Sequence, residues 1–410
     1  MRTFLRIAPV LVLAVGASGC KEYFTVEEAC HPDGKFVGMN NDKLQPGEVQ
    51  AIDRMNCYRR LVGFSRFEVD DASQQAAENM AAYVVQNPDI FGRSQNELSY
   101  LLQEGARPGF SGTEIWERLD VANYSIPDAT AIRAYQFIGV LDAEVSGAEV
   151  VDEIMMRLHW GQEAVITPSP YDIGYAEASL DAAWWAAAAD AGPDPADGEE
   201  VVVPTSGSFF YLLILSELPP AEGAGDEPII YPKRNMTGVP LSGPSALDRY
   251  QPDINLDDEI DDLDYTQLSY PITVGYTSSL NPTGSTGSTP FDLTITSATI
   301  QGPDGPLDTV WASPSETEPA NNRLDVAVGI YNYWSGGIYA TEPFQPSTPY
   351  TLYVDITTID GPSSHNITFT TAPDDGVGGA AAATASRLLS RPAAPRALDL
   401  RGVGAKVDVR

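Results

Sequence analysis

Apolar positions begin to recur at helical spacing near Pro46. Val49, Ile52, Met55 and then Cys57 to Leu61 fall about three to four residues apart, which predicts an amphipathic helix that Gly63 stops. A short extended piece follows, Phe64 to Val69. Asp70 or Asp71 can cap a second helix through Ala76, Ala77 and Met80 to Val85, ending before Pro88. Residues 92–130 read as loop-rich, with short helical pieces at Leu98–Glu104 and Glu114–Leu119. A third helix is expected over 145–159, with Val150, Ile154 and Leu158 on one face; Pro168 and Pro170 close it off. Tyr171 to Glu177 reads as a strand in which Gly174 marks a close approach. Residues 181–200, rich in Ala, Asp and Gly, read as an exposed loop. Phe209 to Leu215 is a continuous apolar run fit for a buried central strand.

The rhythm then changes. Residues 219–267 are rich in Pro, Gly and Asp and read as a linker. From Leu268 the chain alternates apolar and polar residues in short runs: Pro271 to Tyr276, Phe291 to Ser297, Leu324 to Ile330, Tyr350 to Ile356 and Asn366 to Thr371. Turn residues separate them, which is the pattern of a small β-sandwich over 268–373. Residues 374–410 contain no aromatic and are expected to be disordered.

The first 20 residues stand apart. Arg2 and Arg6 flank the start of a short apolar run, Ile7 to Val15, which leads to Ala17-Ser18-Gly19-Cys20. A basic start, a short apolar stretch and small residues before a cut are the marks of an export signal. A Cys at the cut resembles the signal of bacterial lipoproteins, which implies that Cys20 carries a lipid and that residues 21–45 form an arm leading off a membrane. Lys21, where retention in the inner membrane would call for Asp, favours the outer membrane. The resulting expectation is an extracytoplasmic, lipid-anchored protein of the bacterial cell envelope.

Composition narrows the partners. The 410-residue chain carries 57 acidic and 24 basic residues, a net charge of −33. Such a surface repels nucleic acid and anionic headgroups, so no nucleic-acid partner is expected and membrane contact falls to the lipid alone. Beyond Cys20 only Cys30 and Cys57 remain. An even pair in an oxidising compartment favours a disulfide over two free thiols.

Several motifs of residues 46–218 are similar to the CAP superfamily (cysteine-rich secretory proteins, antigen 5, pathogenesis-related 1). They are Asn56-Cys-Tyr-Arg59, Gly63, Phe67, the stretch Asp70 to Ala77 with Ala81-Ala82, then Arg118 with Ala122-Asn123-Tyr124, the Ile166-Thr-Pro168 turn, and the Ile173-Gly174 strand. Residues 268–373 resemble bacterial immunoglobulin-like modules through Pro349 to Val354 and Phe369 to Thr371. The resemblance implies an α+β protein: a CAP-like α-β-α sandwich followed by an all-β immunoglobulin-like sandwich. It also implies a cleft that in the family often carries two His and two Glu, sometimes with a metal. Here the first His position offers only Gln86, Asn87 and Asp89. Gln136 stands at the plausible Glu position, and Gly161 stands where the second His falls, two residues after His159.

Only three His occur: His31, His159 and His365. His159 could serve as a general base or ligand, yet one His without partners is a poor zinc site, and an imidazole hydrogen-bonded at a helix end is favoured. Glu114, Glu117 and Glu144 are the carboxylates to pair with His159 if the chain is a hydrolase. Oxygen side chains at Asp253, Asn255, Asp257, Glu259, Asp261 and Asp264 echo a calcium loop, but Asp258 occupies the glycine position; a solvated linker is favoured over a weak calcium site, and no other cofactor is expected. Trp184-Trp185 reads either as an exposed patch for a glycan or protein, or, preferred, as a pair tucking one ring back onto the domain. The leading expectation is a binding or structural module with a degenerate site, its partner an envelope protein, glycan or lipid. The competing ones are a secreted peptidase-like hydrolase and a lipid-binding module.

Overall fold

Helices α1 (Val26–Cys30), α2 (Pro46–Val62), α3 (Asp71–Gln86) and α4 (Ile115–Val121) precede strand β1 (Ala131–Leu141). Helices α5 (Gly147–Arg157) and α6 (His159–Val165), strand β2 (Pro170–Asp181), helix α7 (Ala182–Ala191) and strand β3 (Ser206–Leu218) complete a first unit. This computed structural model describes residues 22–30, 44–90, 103–125, 131–141, 144–157, 159–168, 170–191, 204–218, 228–242, 268–276, 293–313, 335–358, 360–373 and 406–409. Cys20, His31 and the 253–264 run lie outside them.

The local sequence accounts for the helix limits. Helix α2 starts at Pro46, and the Glu48 carboxylate accepts a hydrogen bond from Gln45 N at 2.8 Å. It ends at Gly63, whose φ of 85° is open to a residue without Cβ. Asp70 caps α3 by accepting from the backbone N–H groups of Ala72 and Ser73 at 2.9 and 3.0 Å.

Strands pair antiparallel in the order β12-β1-β3-β2, where β12 is Lys406–Val409. The apolar run on β3 is buried on both faces. Phe210, Leu212 and Ile214 join α1, α2, α5 and α6, while Phe209, Tyr211, Leu213 and Leu215 join α3, α4 and α7. Helices thus cover both faces of the sheet. The edge of β2 is closed by side chains of α3. Ser73 Oγ donates to Ile173 O at 2.8 Å, and Gln74 both donates to Tyr175 O (2.9 Å) and accepts from Tyr175 N (3.1 Å). Gly174 permits this approach, since a Cβ there would lie 2.2 Å from Ser73 O.

The second unit is two four-stranded antiparallel sheets. One has the order β4-β5-β9-β8, from Ile229–Tyr231, Ile272–Gly275, Ser335–Ala340 and Thr309–Ala312. The other has the order β11-β10-β6-β7, from Gly361–Thr370, Pro349–Thr358, Thr294–Gly302 and Gly305–Pro306. Ile272, Val274 and Ile338 of the first sheet share a core with Ile295, Ile300, Leu352, Val354 and Phe369 of the second.

The mixed α+β class matches the expectation, while four sequence readings need correction. Residues 182–191, read as part of an exposed loop, form α7; an alanine-rich stretch has high helix propensity, and Asp181 Oδ1 accepts from Trp184 N at 2.8 Å to start it. Both tryptophans, not one, are buried, in an edge-to-face pair with ring centroids 5.3 Å apart. Ile229–Tyr231, read as linker, is β4, and the chain from 234 to 242 runs along β11, with Asn235 N donating to Thr368 O and Val239 N to Thr370 O. Within the tail read as disordered, Lys406–Val409 adds to the open edge of β1 through a segment of alternating polar and apolar residues. Strand β1 itself went unread, because Arg133 and Gln136 interrupt its apolar run.

Candidate functional site

Of the positions that the resemblance marks for a cleft, Gln136 faces the α3 and α4 side of the sheet, Gln86, Asn87 and Asp89 lie at and just beyond the C-terminal end of α3, and His159 and Gly161 lie on α6, against the opposite face. Alternation along β1 turns Gln136 to the α3 and α4 side, between Tyr135 and Phe137 on the other. Arg118 of α4 is fully buried. Its Nη2 donates to Gln136 Oε1 at 2.8 Å and its Nη1 to Thr113 O at 3.1 Å. The Tyr211 hydroxyl donates to the same Gln136 oxygen at 2.7 Å. One amide oxygen therefore takes a charged and a neutral donor. Gln86 and Asn87 are occupied with backbone: Gln86 Nε2 donates to Ala82 O, and Asn87 Nδ2 donates to Tyr83 O and Pro108 O. Asp89 accepts two bonds from Arg107. Tyr211 escaped sequence reading because an apolar run hides which of its members faces a polar partner.

The remaining site residues do not converge on a catalytic arrangement. Glu114, Glu117 and Glu144 are all exposed. Glu114 sits at the start of α4, and Glu117 accepts from Thr113 N at 2.7 Å, as a carboxylate in a first helical turn does. His159 opens α6; its side chain is outside the described residues. Gly161 lies against α5, and a Cβ there would come within 2.0 Å of the Ile154 carbonyl oxygen. Among the described residues no group of three or more His, Cys, Asp or Glu is placed to hold a metal ion, and no helix is long and apolar enough to cross a membrane.

A second polar centre, unread in the sequence, lies on the seam between the two units. Helix α6 carries Gln162 and Glu163, both fully buried. Gln162 Nε2 donates to Pro271 O at 3.0 Å, and its Oε1 accepts from Thr273 Oγ1 at 2.6 Å. Glu163 Oε1 accepts from the Tyr135 hydroxyl at 2.7 Å, and its Oε2 accepts from Ser335 N at 3.1 Å and Ser335 Oγ at 2.5 Å. The sequence signal was a Gln-Glu pair beside the otherwise apolar Ala164 to Ile166.

Beside this network the seam encloses a cavity of about 300 Å³, lined among others by Arg54, Tyr58, Tyr231 and Tyr270. Arg54 Nε donates to Asp152 Oδ1 at 2.5 Å, and the Tyr58 hydroxyl donates to the same oxygen at 2.8 Å. Burial alone would lower the Arg54 pKa, but the Asp152 and Glu27 carboxylates outweigh it and hold the guanidinium charged. Helix α1 closes one side of the cavity, and the disulfide Cys30–Cys57 fastens α1 to α2 with a Cα–Cα distance of 4.8 Å.

Burial raises the pKa of five carboxyls in the first unit: Glu48, Asp53, Asp152, Asp172 and Glu177. A carboxyl whose folded pKa lies above its unfolded value binds its proton more tightly in the fold. Its contribution is therefore gained as pH falls through the folded pKa toward the ordinary carboxylate range. Acidification also relieves the self-repulsion of a chain with net charge −33. The urea midpoint should be higher at pH 5 than at pH 7.5, and a lower midpoint at pH 5 would contradict this account.

Set against known proteins, the sequence matches no family model and no curated protein.

Proposed function

We propose that this chain is a lipid-anchored protein of the bacterial cell envelope, in which a CAP-like α-β-α module with a degenerate site and an immunoglobulin-like sandwich act together in binding. The observation that carries this reading is Gln136. At the place of a family carboxylate stands a neutral amide whose oxygen is taken by Arg118 and Tyr211, so it neither accepts a proton nor offers a charged ligand to a metal. The shared core of the two units supports a role as one platform: α2, α5, β5 and β10 contribute to a single apolar cluster.

Two measurements test the reading. Cys20→Ala should move the protein from the membrane pellet to the soluble fraction, because a lipid on that residue would be its whole membrane affinity. Retention in the pellet after a salt wash would remove the anchor from the proposal. Metal analysis of the purified full chain should find no stoichiometric zinc, since a catalytic site needs about three protein ligands and His159 offers one. One equivalent of zinc, lost in His159→Ala together with peptide or ester hydrolysis, would establish the hydrolase instead.

A further inference from the structure

We propose that the outward face of the β11-β10-β6-β7 sheet is a binding site for a neutral polysaccharide, which lies across β11, β10 and β6. This deepens the binding reading given above and rests on it for an extracytoplasmic setting, where such chains occur.

Alternation divides β10 in two. Leu352, Val354 and Ile356 enter the core, while Tyr353 and Asp355 face out. The register places Asn366 and Thr299 on either side of Tyr353, and Ser364 and Ser297 on either side of Asp355. All six residues are exposed. They form two rows of three, roughly 7 Å apart along the strands and with neighbours about 4.8 Å apart across them.

The first row offers a ring. Tyr353 is 50% exposed, more than any other aromatic among the described residues, and the Asn366 amide beside it can both donate and accept. The second row offers acceptors only. Ser297 Oγ donates to Asp355 Oδ2 at 2.6 Å, and Ser364 Oγ donates to Asp355 Oδ1 at 2.5 Å. Each serine has one hydroxyl hydrogen and gives it to Asp355, so lone pairs are what this row presents to a guest. The same two bonds hold the Asp355 carboxyl below the usual carboxylate range, which keeps it ionised.

A guest that fits must bring an apolar face for the ring and, one row on, hydrogens to donate to a carboxylate. A sugar ring does both, with C–H groups on its face and hydroxyls at its rim. Charge selects a neutral one. Asp355 is the one charged residue of the six, in a chain of net charge −33, which opposes an acidic glycan. A basic peptide fits less well. One carboxylate serves one cation, and Arg234, whose Nη2 donates to Asn366 O at 2.8 Å, repels a second.

The test is saturation-transfer NMR on the full chain. Cellohexaose, maltohexaose and mannohexaose are the neutral probes, hexagalacturonate the acidic one and a trilysine peptide the basic one. At least one neutral hexasaccharide should bind at millimolar concentration, and hexagalacturonate should not. Tyr353→Ala should weaken that binding roughly tenfold or more, and Asp355→Asn about three- to tenfold. Val121→Ala, which trims an exposed side chain of α4, should bind like the parent. The proposal is overturned if no neutral hexasaccharide binds, if hexagalacturonate binds as well as they do, or if either Tyr353→Ala or Asp355→Asn binds sugar like the parent. Trilysine that binds more tightly than the sugars, and loses its binding in Tyr353→Ala, would also overturn it in favour of a basic peptide. Both side chains lie outside the core, so both variants should fold; should one fail, the other and the probe ranking decide. Retention of Cys20→Ala in the membrane pellet would leave these outcomes as they are, and an absence of sugar binding would leave the anchor standing.

Discussion

Gly161→Ala is expected to destabilise the protein by about 3 kcal/mol or more, the range of severe core overpacking. The added methyl would meet the Ile154 carbonyl oxygen at 2.0 Å and Ile154 Cγ2 at 2.9 Å. The first of these is backbone, so no rotamer change relieves the clash, and α6 would have to move off α5. That movement would also pull Gln162 and Glu163 from Thr273 and Ser335, so the loss should reach the seam. Gly63→Ala provides the contrast. Gly63 has nothing within 4 Å of the added atom and suffers only from its φ of 85°, which costs roughly 1 kcal/mol. Urea denaturation of both variants checks the ordering, and equal midpoints would mean that α5 and α6 can separate without cost. A histidine at 161 would meet the same obstacle.

Removing the disulfide should have the second large effect. Cys30 and Cys57 are 27 residues apart, and closing a loop of that length stabilises by about 3.5 kcal/mol through the entropy of the unfolded chain. The Cys30→Ala/Cys57→Ala double variant should lose about that much. Its effect should be uneven. Helix α1 has five residues and is held otherwise by a few contacts, such as Arg60 over the Tyr23 ring at 5.4 Å and Thr237 N donating to Phe24 O at 2.9 Å. Amide exchange at 22–30 should therefore accelerate far more than exchange at 50–60, where α2 remains packed. Unchanged exchange at 22–30 would show that packing alone holds α1.

What the sequence made legible is what short-range physics dictates. The α2 helix could be read because its period, its opening Pro46 and its closing Gly63 agree, and α3 because Asp70 or Asp71 offers a cap ahead of its apolar positions. The β3 run announced burial on both faces, and the alternation in β5, β6, β10 and β11 announced strands. What escaped depends on distant partners. Glu163 looks like a surface residue until Ser335, 172 positions away, supplies two of its bonds. Tyr58, Tyr231 and Tyr270 look like unrelated core residues until the seam joins them. Reading 219–267 as a linker implied two separate bodies, and nothing local in Ile229–Tyr231 reveals that it pairs with β5. In the first site the sequence singled out Gln136 and Arg118 separately, and the bond between them required the fold.

The cross-link from α1 to α2 also determines how the protein answers to force. Tension entering from the N-terminal side first peels Tyr23 and Phe24 from Arg60 and Thr237, and then unwinds α1. It stops at Cys30, where the covalent path passes directly to Cys57 in a helix packed under the sheet. Load is thereby delivered to Cys57 in the buried face of α2, and the described residues 44–56 lie off its path.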